Sequence, residues 1–279
     1  MSPEYTDLQT LVERHDAFVL DQFGVLLTGD GAYPFAPMAL KRLKRAGKLV
    51  LMLSNSGKRA SLNEARLTRL GFDRADYLAV LSSGEAAYKI LDERLGKQIE
   101  PGTKVFVLSR DDDISCIDGL ELVQTQDINQ AGLIILAGSQ GDVFELDYYR
   151  KLLEGSAERS VTCICTNPDL TMLTPKGLRF GNGTIANLYE QLGGNVEWIG
   201  KPHPFIYEMA NGVLAENGAN NVICIGDSPE HDIAGGNRAG FKTALVRTGI
   251  HELDPLEHVI ENCAKLDSIP DYILPKFEF

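Results

Sequence analysis

No stretch of the 279 residues approaches the ~18 consecutive apolar positions that a membrane-spanning helix needs. Residues 1–21 have no basic segment followed by an apolar run, so no secretory signal is expected there. Positive charge is scarce. Lys and Arg number 27 against 39 Asp and Glu, a formal net charge of −12. Binding a nucleic-acid backbone takes clustered cations, so that class of partner is excluded. A small anionic substrate is not, because a local site can be positive within an acidic protein. Of five cysteines none forms a CxxC pair, which excludes a cysteine metal cluster. Cys163 and Cys165 alternate in VTCICT; on a strand both face one side and read as small buried apolar groups. No G-x-G-x-x-G follows the first apolar run, which argues against a dinucleotide-dependent oxidoreductase. Gly235-Gly236 follows an acidic loop and reads as two small residues that allow close helix packing. Repeats, low-complexity segments and Pro/Gly/Ser linkers are missing as well, so domain limits must come from motifs. The expectation is a reduced, soluble, cytoplasmic protein without a membrane partner, in which the sequon Asn182-Gly183-Thr184 is an unglycosylated turn.

What is present is ordinary globular composition, 44% hydrophobic and 24% charged. The length suits a core plus a cap, with enough buried surface to fold without disulfides. Short apolar runs recur: Ala17 to Leu20, Leu49 to Leu53, Val105 to Leu108, Leu133 to Leu136, Val161 to Cys165, Val222 to Ile225 and Ala244 to Val246. Continuous Val/Ile/Leu runs of this length fit strands covered on both faces of a parallel sheet. Between them lie helical patterns over Pro37 to Ala46, Ala60 to Leu70, Glu85 to Leu95, Leu146 to Glu154 and Pro204 to Glu216. The alternation predicts an α/β fold built on a doubly wound, Rossmann-like parallel sheet.

Open parallel sheets bind ligands beyond the carboxyl ends of their strands, so residues following the apolar runs carry the functional information. Asp21, Ser54 and Asp227 all stand there. Each alone reads as a turn or helix-capping residue; their joint occurrence with a basic motif before the last of them does not. The order D-Q-F-G-V (21–25), L-S-N-S (53–56), G-K-P-H-P (200–204) and G-D-S-x-x-x-D-I (226–233) resembles the four motifs of the haloacid dehalogenase-like hydrolases. The long interval between the second and third motifs resembles the class IIA branch, which includes N-acetylglucosamine-6-phosphate phosphatase-like, 4-nitrophenylphosphatase and pyridoxal phosphatase proteins. T-N-P-D (166–169) and G-N-G-T (181–184) resemble cap elements of that branch. The likeness implies a catalytic core from residues 1–82 and 196–279 and a large inserted α/β cap from 83–195.

The same resemblance implies roles. Asp21 would attack phosphorus and form an aspartyl-phosphate, splitting one displacement into two. Mg²⁺, which prefers octahedral oxygen coordination, would be held by Asp21, the backbone carbonyl of Phe23 and Asp227. Lys201 would face the phosphoryl oxygens and separate the carboxylates. Ser54 would donate to a phosphoryl oxygen, helped by the backbone around Asn55. Asp232 would orient Lys201 or a water on the metal. Asn167 and Asp169 read either as substrate-side contacts or as the shape of an Asn-Pro turn. His203 reads as a loop or helix-start residue ahead of a substrate contact, and Asp111-Asp112-Asp113 as a turn or helix N-terminus ahead of a cap-borne acid. The implied activity is a phosphoric monoester hydrolase acting on a small phosphorylated metabolite. The oligomeric state is left open, although relatives of this branch often form homodimers.

One departure stands out. The family's phosphatases carry a second aspartate two residues after the nucleophile, to protonate the leaving oxygen and later activate water. Phe23 occupies that position. Such acid-base help contributes ~10²–10⁴-fold, so a low rate on alkyl phosphates is expected. Two further readings follow: an attenuated protein that binds a phosphorylated ligand, and a metal-independent dehalogenase, which shares an aromatic residue there. A full G-D-x-x-x-x-D acidic motif speaks for magnesium and against the latter.

Overall fold

The computed structural model describes residues 2–174 and 177–279. The chain divides into two compact units, Met1–Ser54 with Ser61–Leu81 and Lys201–Phe279, and Asn55–Ala60 with Ser82–Gly200.

In the first unit, strands run in the order Glu4–Tyr5, Tyr272–Leu274, Lys242–Val246, Val222–Gly226, Ala17–Leu20, Leu49–Ser54, Ala79–Ser82. The registered pairs between neighbours are parallel. Why Ala17 to Leu20 is apolar throughout is visible in its burial. Phe18 and Leu20 pack with Leu40 and Leu43 of the helix Ala36–Arg45. Ala17 and Val19 point the other way, into a cluster with Ile206, Tyr207, Ala210 and Leu214 of the helix Pro204–Glu216. Successive strand residues face opposite sides, so a sheet with helices on both faces needs no polar position. Each large apolar side chain so buried contributes roughly 1.5–3 kcal/mol. The doubly wound α/β expectation holds.

The second unit has its own sheet, in the order Asn195–Trp198, Thr162–Cys165, Leu133–Leu136, Lys104–Leu108, Val123–Gln124, again with parallel pairs. Thr171–Thr174 pairs antiparallel with Gly177–Phe180. Cys163 and Cys165 are fully buried on the same face, beside Tyr149 and Leu153 of the helix Leu146–Glu158 and Ile185 and Tyr189 of the helix Asn182–Gln191. All five cysteines are free and buried. Burial pushes the Cys163 and Cys165 thiols above the ordinary range, so neither is a nucleophile.

One expectation changes. Asn182 does not sit in a turn; it is the first residue of the helix Asn182–Gln191. Ile185, Ala186, Leu188 and Tyr189 bury one face at helical spacing, and this packing outweighs the turn preference of Asn-Gly. His203 does start a helix, at the position before Pro204, but its side chain makes no capping bond. Asp111 and Asp112 form a left-handed turn, at φ of 57° and 52°, the first of the readings given for that run. Gly235 and Gly236 behave as read. A Cβ on Gly235 would lie 2.4 Å from the Tyr207 ring, and one on Gly236 2.8 Å from Thr243 Cγ2. Among the described residues no helix is long and apolar enough to cross a membrane.

Candidate active site

Parallel register decides what lies beside what. Leu20 pairs with Ile225 on one side and with Met52 on the other. Asp21 and Asp227, just past their strands, and Ser54, the last residue of its own, therefore share the carboxyl edge of the first unit's sheet. Lys201, which starts the chain's return to this unit, is 2% exposed. Its Nζ lies 2.8 Å from Asp21 Oδ1 and 2.7 Å from Asp232 Oδ1. Oxygens of Asp21, Asp227 and Asp232 all fall within 4.8 Å of one another.

Local backbone fixes each carboxylate differently. Asp21 Oδ1 accepts from Gln22 N at 2.7 Å as well as from Lys201, while Oδ2 accepts no hydrogen bond from the described residues. Asp227 Oδ2 accepts from Ile250 N at 2.8 Å. Asp232 has both oxygens engaged, Oδ1 by Lys201 and Oδ2 by Ser228 N at 3.1 Å. Asp232 reaches this position from a single π-helical turn, Pro229–Ile233, a feature that recurs at functional sites. Glycine is required where backbone meets these carboxylates. At Gly24, with φ of 82°, a Cβ would stand 2.1 Å from Asp227 Oδ2.

Three carboxylates against one ammonium leave the cluster short of positive charge. Burial raises the Asp21 pKa to about 7, Lys201 opposes this and the Asp232 charge adds to it. Asp227 is raised well above its ordinary value by burial and by Asp21 and Asp232. Burial alone would discharge Lys201, but the two carboxylates outweigh it and hold the ammonium firmly charged. A divalent cation fits such a site. Asp21 and Asp227 each keep an oxygen to offer, all donors are hard oxygens, and a 2+ charge relieves the repulsion.

Phe23 carries no proton, and its ring is 47% exposed. The Arg66 guanidinium lies over it, 5.1 Å from the ring centre. Asn55, Asn167 and Asp169 come together in the second unit. Asn55 Nδ2 donates to Asp169 Oδ1 at 2.8 Å, and Asn167 Oδ1 accepts from Asp169 N at 2.9 Å. That second contact is the turn-shaping role weighed for Asn167.

Sequence reasoning missed Ile250 and Ser228, whose amides hold Asp227 and Asp232, and also Gln22 and Arg66. An amide donor leaves no residue-type signal. Arg66 had one, a cation on the buried side of a helix, but helical spacing alone does not say what it faces.

Comparison with known proteins identifies the family. A family model described as haloacid dehalogenase-like hydrolase matches residues 18–122, and one described as HAD-hydrolase-like matches 198–278. Human chronophin is 32% identical over 286 residues, spanning 95% of this chain and 92% of chronophin. The acid sugar phosphatase of Staphylococcus aureus is 27% identical over 256 residues, 88% of this chain and 92% of that protein. The structure of a haloacid dehalogenase-like hydrolase from Brucella suis superposes with a TM-score of 0.82 at 27% identity, covering 98% of this chain and 99% of that one. The chain belongs to the haloacid dehalogenase-like hydrolases, in their class IIA branch.

Proposed function

We propose that this chain is a Mg²⁺-dependent phosphoric monoester hydrolase acting on a small phosphorylated metabolite, with Asp21 as nucleophile. The observation that carries the reading is Lys201 Nζ seated between Asp21 Oδ1 at 2.8 Å and Asp232 Oδ1 at 2.7 Å, with Asp227 completing the cluster. Relatives named as phosphatases support it. On this reading the first unit is the catalytic core and the second is the cap.

Asp21, Asp227 and the Phe23 carbonyl would hold Mg²⁺, which supplies charge neutralisation at the phosphoryl oxygens. Asp232, with both oxygens already occupied, orients Lys201 instead of binding metal. Lys201 and Gln22 N orient the Asp21 carboxylate, one oxygen of which attacks phosphorus while the other is left to the metal. The bond from phosphorus to the leaving oxygen breaks as the bond to Asp21 forms. Lys201 and Ser54 stabilise the phosphoryl oxygens. The leaving oxygen takes its proton from water, since Phe23 has none to give. Water then cleaves the aspartyl-phosphate and restores Asp21. Asn55, Asn167 and Asp169 are the proposed substrate-side group, with a homodimer and a cytoplasmic setting as the expected context.

A panel of aryl, sugar and acyl phosphates, assayed with Mg²⁺ and with chelator, tests this. Turnover abolished by chelator and by Asp21→Asn is the expected result. The exposed Phe23 ring favours a second reading, a protein that binds a phosphorylated ligand without hydrolysing it. Mg²⁺-dependent binding without turnover of any ester would select that reading. Halide release from a haloacid without metal would sink both.

A further inference from the structure

Among the described residues Arg66 has no carboxylate within ion-pairing distance, although the Asp21 charge is felt there. It lies on the helix Ala60–Arg69, in the same unit as Asp21, and is half-buried. Among the described residues it makes no ion pair. Its Nη2 donates to two neutral acceptors, Gln22 Oε1 and Asn63 Oδ1, the latter at 3.0 Å. Its buried Nε has no acceptor, and neither has the buried Nε2 of Gln22. The guanidinium lies against the exposed ring of Phe23, two residues beyond the nucleophile. Desolvating a guanidinium without a carboxylate is costly. A buried cation left without its counter-charge is a candidate ligand site. Burial holds its pKa below the ordinary arginine value, Arg69 in the next turn adds to this, and the Asp21 carboxylate opposes it.

We propose that Arg66, with Phe23 beside it, is a specificity site for an oxyanion carried on the leaving group, a carboxylate or a second phosphate, so that the preferred substrates are phosphate monoesters bearing another anionic group. The inference rests on the phosphatase reading for its substrate but not for its ligand chemistry. Guanidinium recognises both oxyanions through paired N–H donors, and the flat ring keeps it aimed. Lys201 serves the reacting phosphoryl group and Arg66 the group beyond it, so one site discriminates by two separate charges.

Matched monoesters test this with the full chain and Mg²⁺. Carboxymethyl phosphate is compared with carbamoylmethyl phosphate, and 4-carboxyphenyl phosphate with 4-carbamoylphenyl phosphate. The bisphosphate counterpart of each tells a second phosphate from a carboxylate. The wild type should favour the anionic member of at least one pair by about tenfold or more in kcat/KM, expressed in KM. Arg66→Gln should bring that ratio close to one, and Arg66→Lys should keep part of it. The ratio is taken within each variant, so any general loss of activity or stability cancels. Calorimetric Kd values for the corresponding phosphonates give the same ratio without turnover. Equal values for both members of every pair in the wild type overturn the inference, as does a preference that survives Arg66→Gln. An Arg66-dependent preference in Kd without hydrolysis of any ester upholds it and sinks the phosphatase reading instead.

Discussion

Removing the charge of Asp21 should stabilise the metal-free protein, and the gain should depend on pH. Burial raises its pKa from the ordinary 3.8 to about 7, with Lys201 opposing and Asp232 adding to the rise. Its side chain is only 14% exposed, so solvent screening is modest. Between about pH 4 and pH 7 the folded state holds a proton that the unfolded state has released, so this group's contribution to stability falls as pH rises through that window. At 1.36 kcal/mol per unit, a rise from 3.8 to about 7 corresponds to about 4 kcal/mol lost by pH 8. Asp21→Asn keeps an oxygen for Gln22 N and Lys201 Nζ, and its new amide takes the place of Oδ2, which accepts no bond from the described residues. The assay is urea unfolding of chelator-treated wild type and variant across this pH range. The two should have similar stability near pH 4 and separate as pH rises, with the variant ahead by about 2–4 kcal/mol at pH 8. Mg²⁺ should stabilise the wild type and not the variant, in proportion to its affinity for the folded state. Parallel stability profiles for the two proteins would refute the electrostatic account of the site.

Three other outcomes follow from the same geometry. Gly24→Ala puts a Cβ 2.1 Å from Asp227 Oδ2 at a left-handed φ of 82°; thermal unfolding should register a loss of about 2 kcal/mol or more, and hydrolysis should fail as Asp227 is displaced. Asp227→Asn should abolish calorimetric Mg²⁺ binding while Asp232→Asn, whose oxygens are already engaged, should weaken it much less. Phe23→Asp should raise kcat on alkyl phosphates by about 10²-fold and bring in a basic limb in the pH profile; an unchanged rate would mean that leaving-group protonation is not limiting.

How much of this could be read from the sequence depends on whether local pattern or distant contact sets the feature. Ala17 to Leu20 and Leu133 to Leu136 coincide with observed strands, and Pro204 to Glu216 with an observed helix, because burial on both faces and helical spacing are written into neighbouring residues. Helix ends at Glu85 and Glu154 were short of the observed limits, Ser83 and Glu158, since caps and last turns carry little apolar signal. Gly177–Phe180, paired with Thr171–Thr174, escaped notice because a largely exposed strand lacks the continuous apolar run of a buried one. Asn182 was misread because Asn-Gly is a strong turn signal locally, while the apolar face that turns it into a helix is satisfied by distant residues, among them Tyr149 and Leu153 on another helix and Cys163 and Cys165 on a strand.

The site divides along the same line. By itself the sequence determined that Asp21, Ser54 and Asp227 follow buried strands and that Lys201 and Asp232 accompany them, because strand ends and motif spacing are local properties. Tertiary structure alone decided that Ile250 N occupies Asp227 and that Lys201 Nζ bridges Asp21 and Asp232, since these donors arrive on distant segments of chain, whereas Ser228 N reaches Asp232 within one turn. It also decided that Arg66 faces Phe23 and Gln22, 43 and 44 positions away in the chain. The reason is physical. Hydrophobic period fixes which residues are buried, but the partner of a buried charge is chosen by the packing of elements that share no sequence neighbourhood.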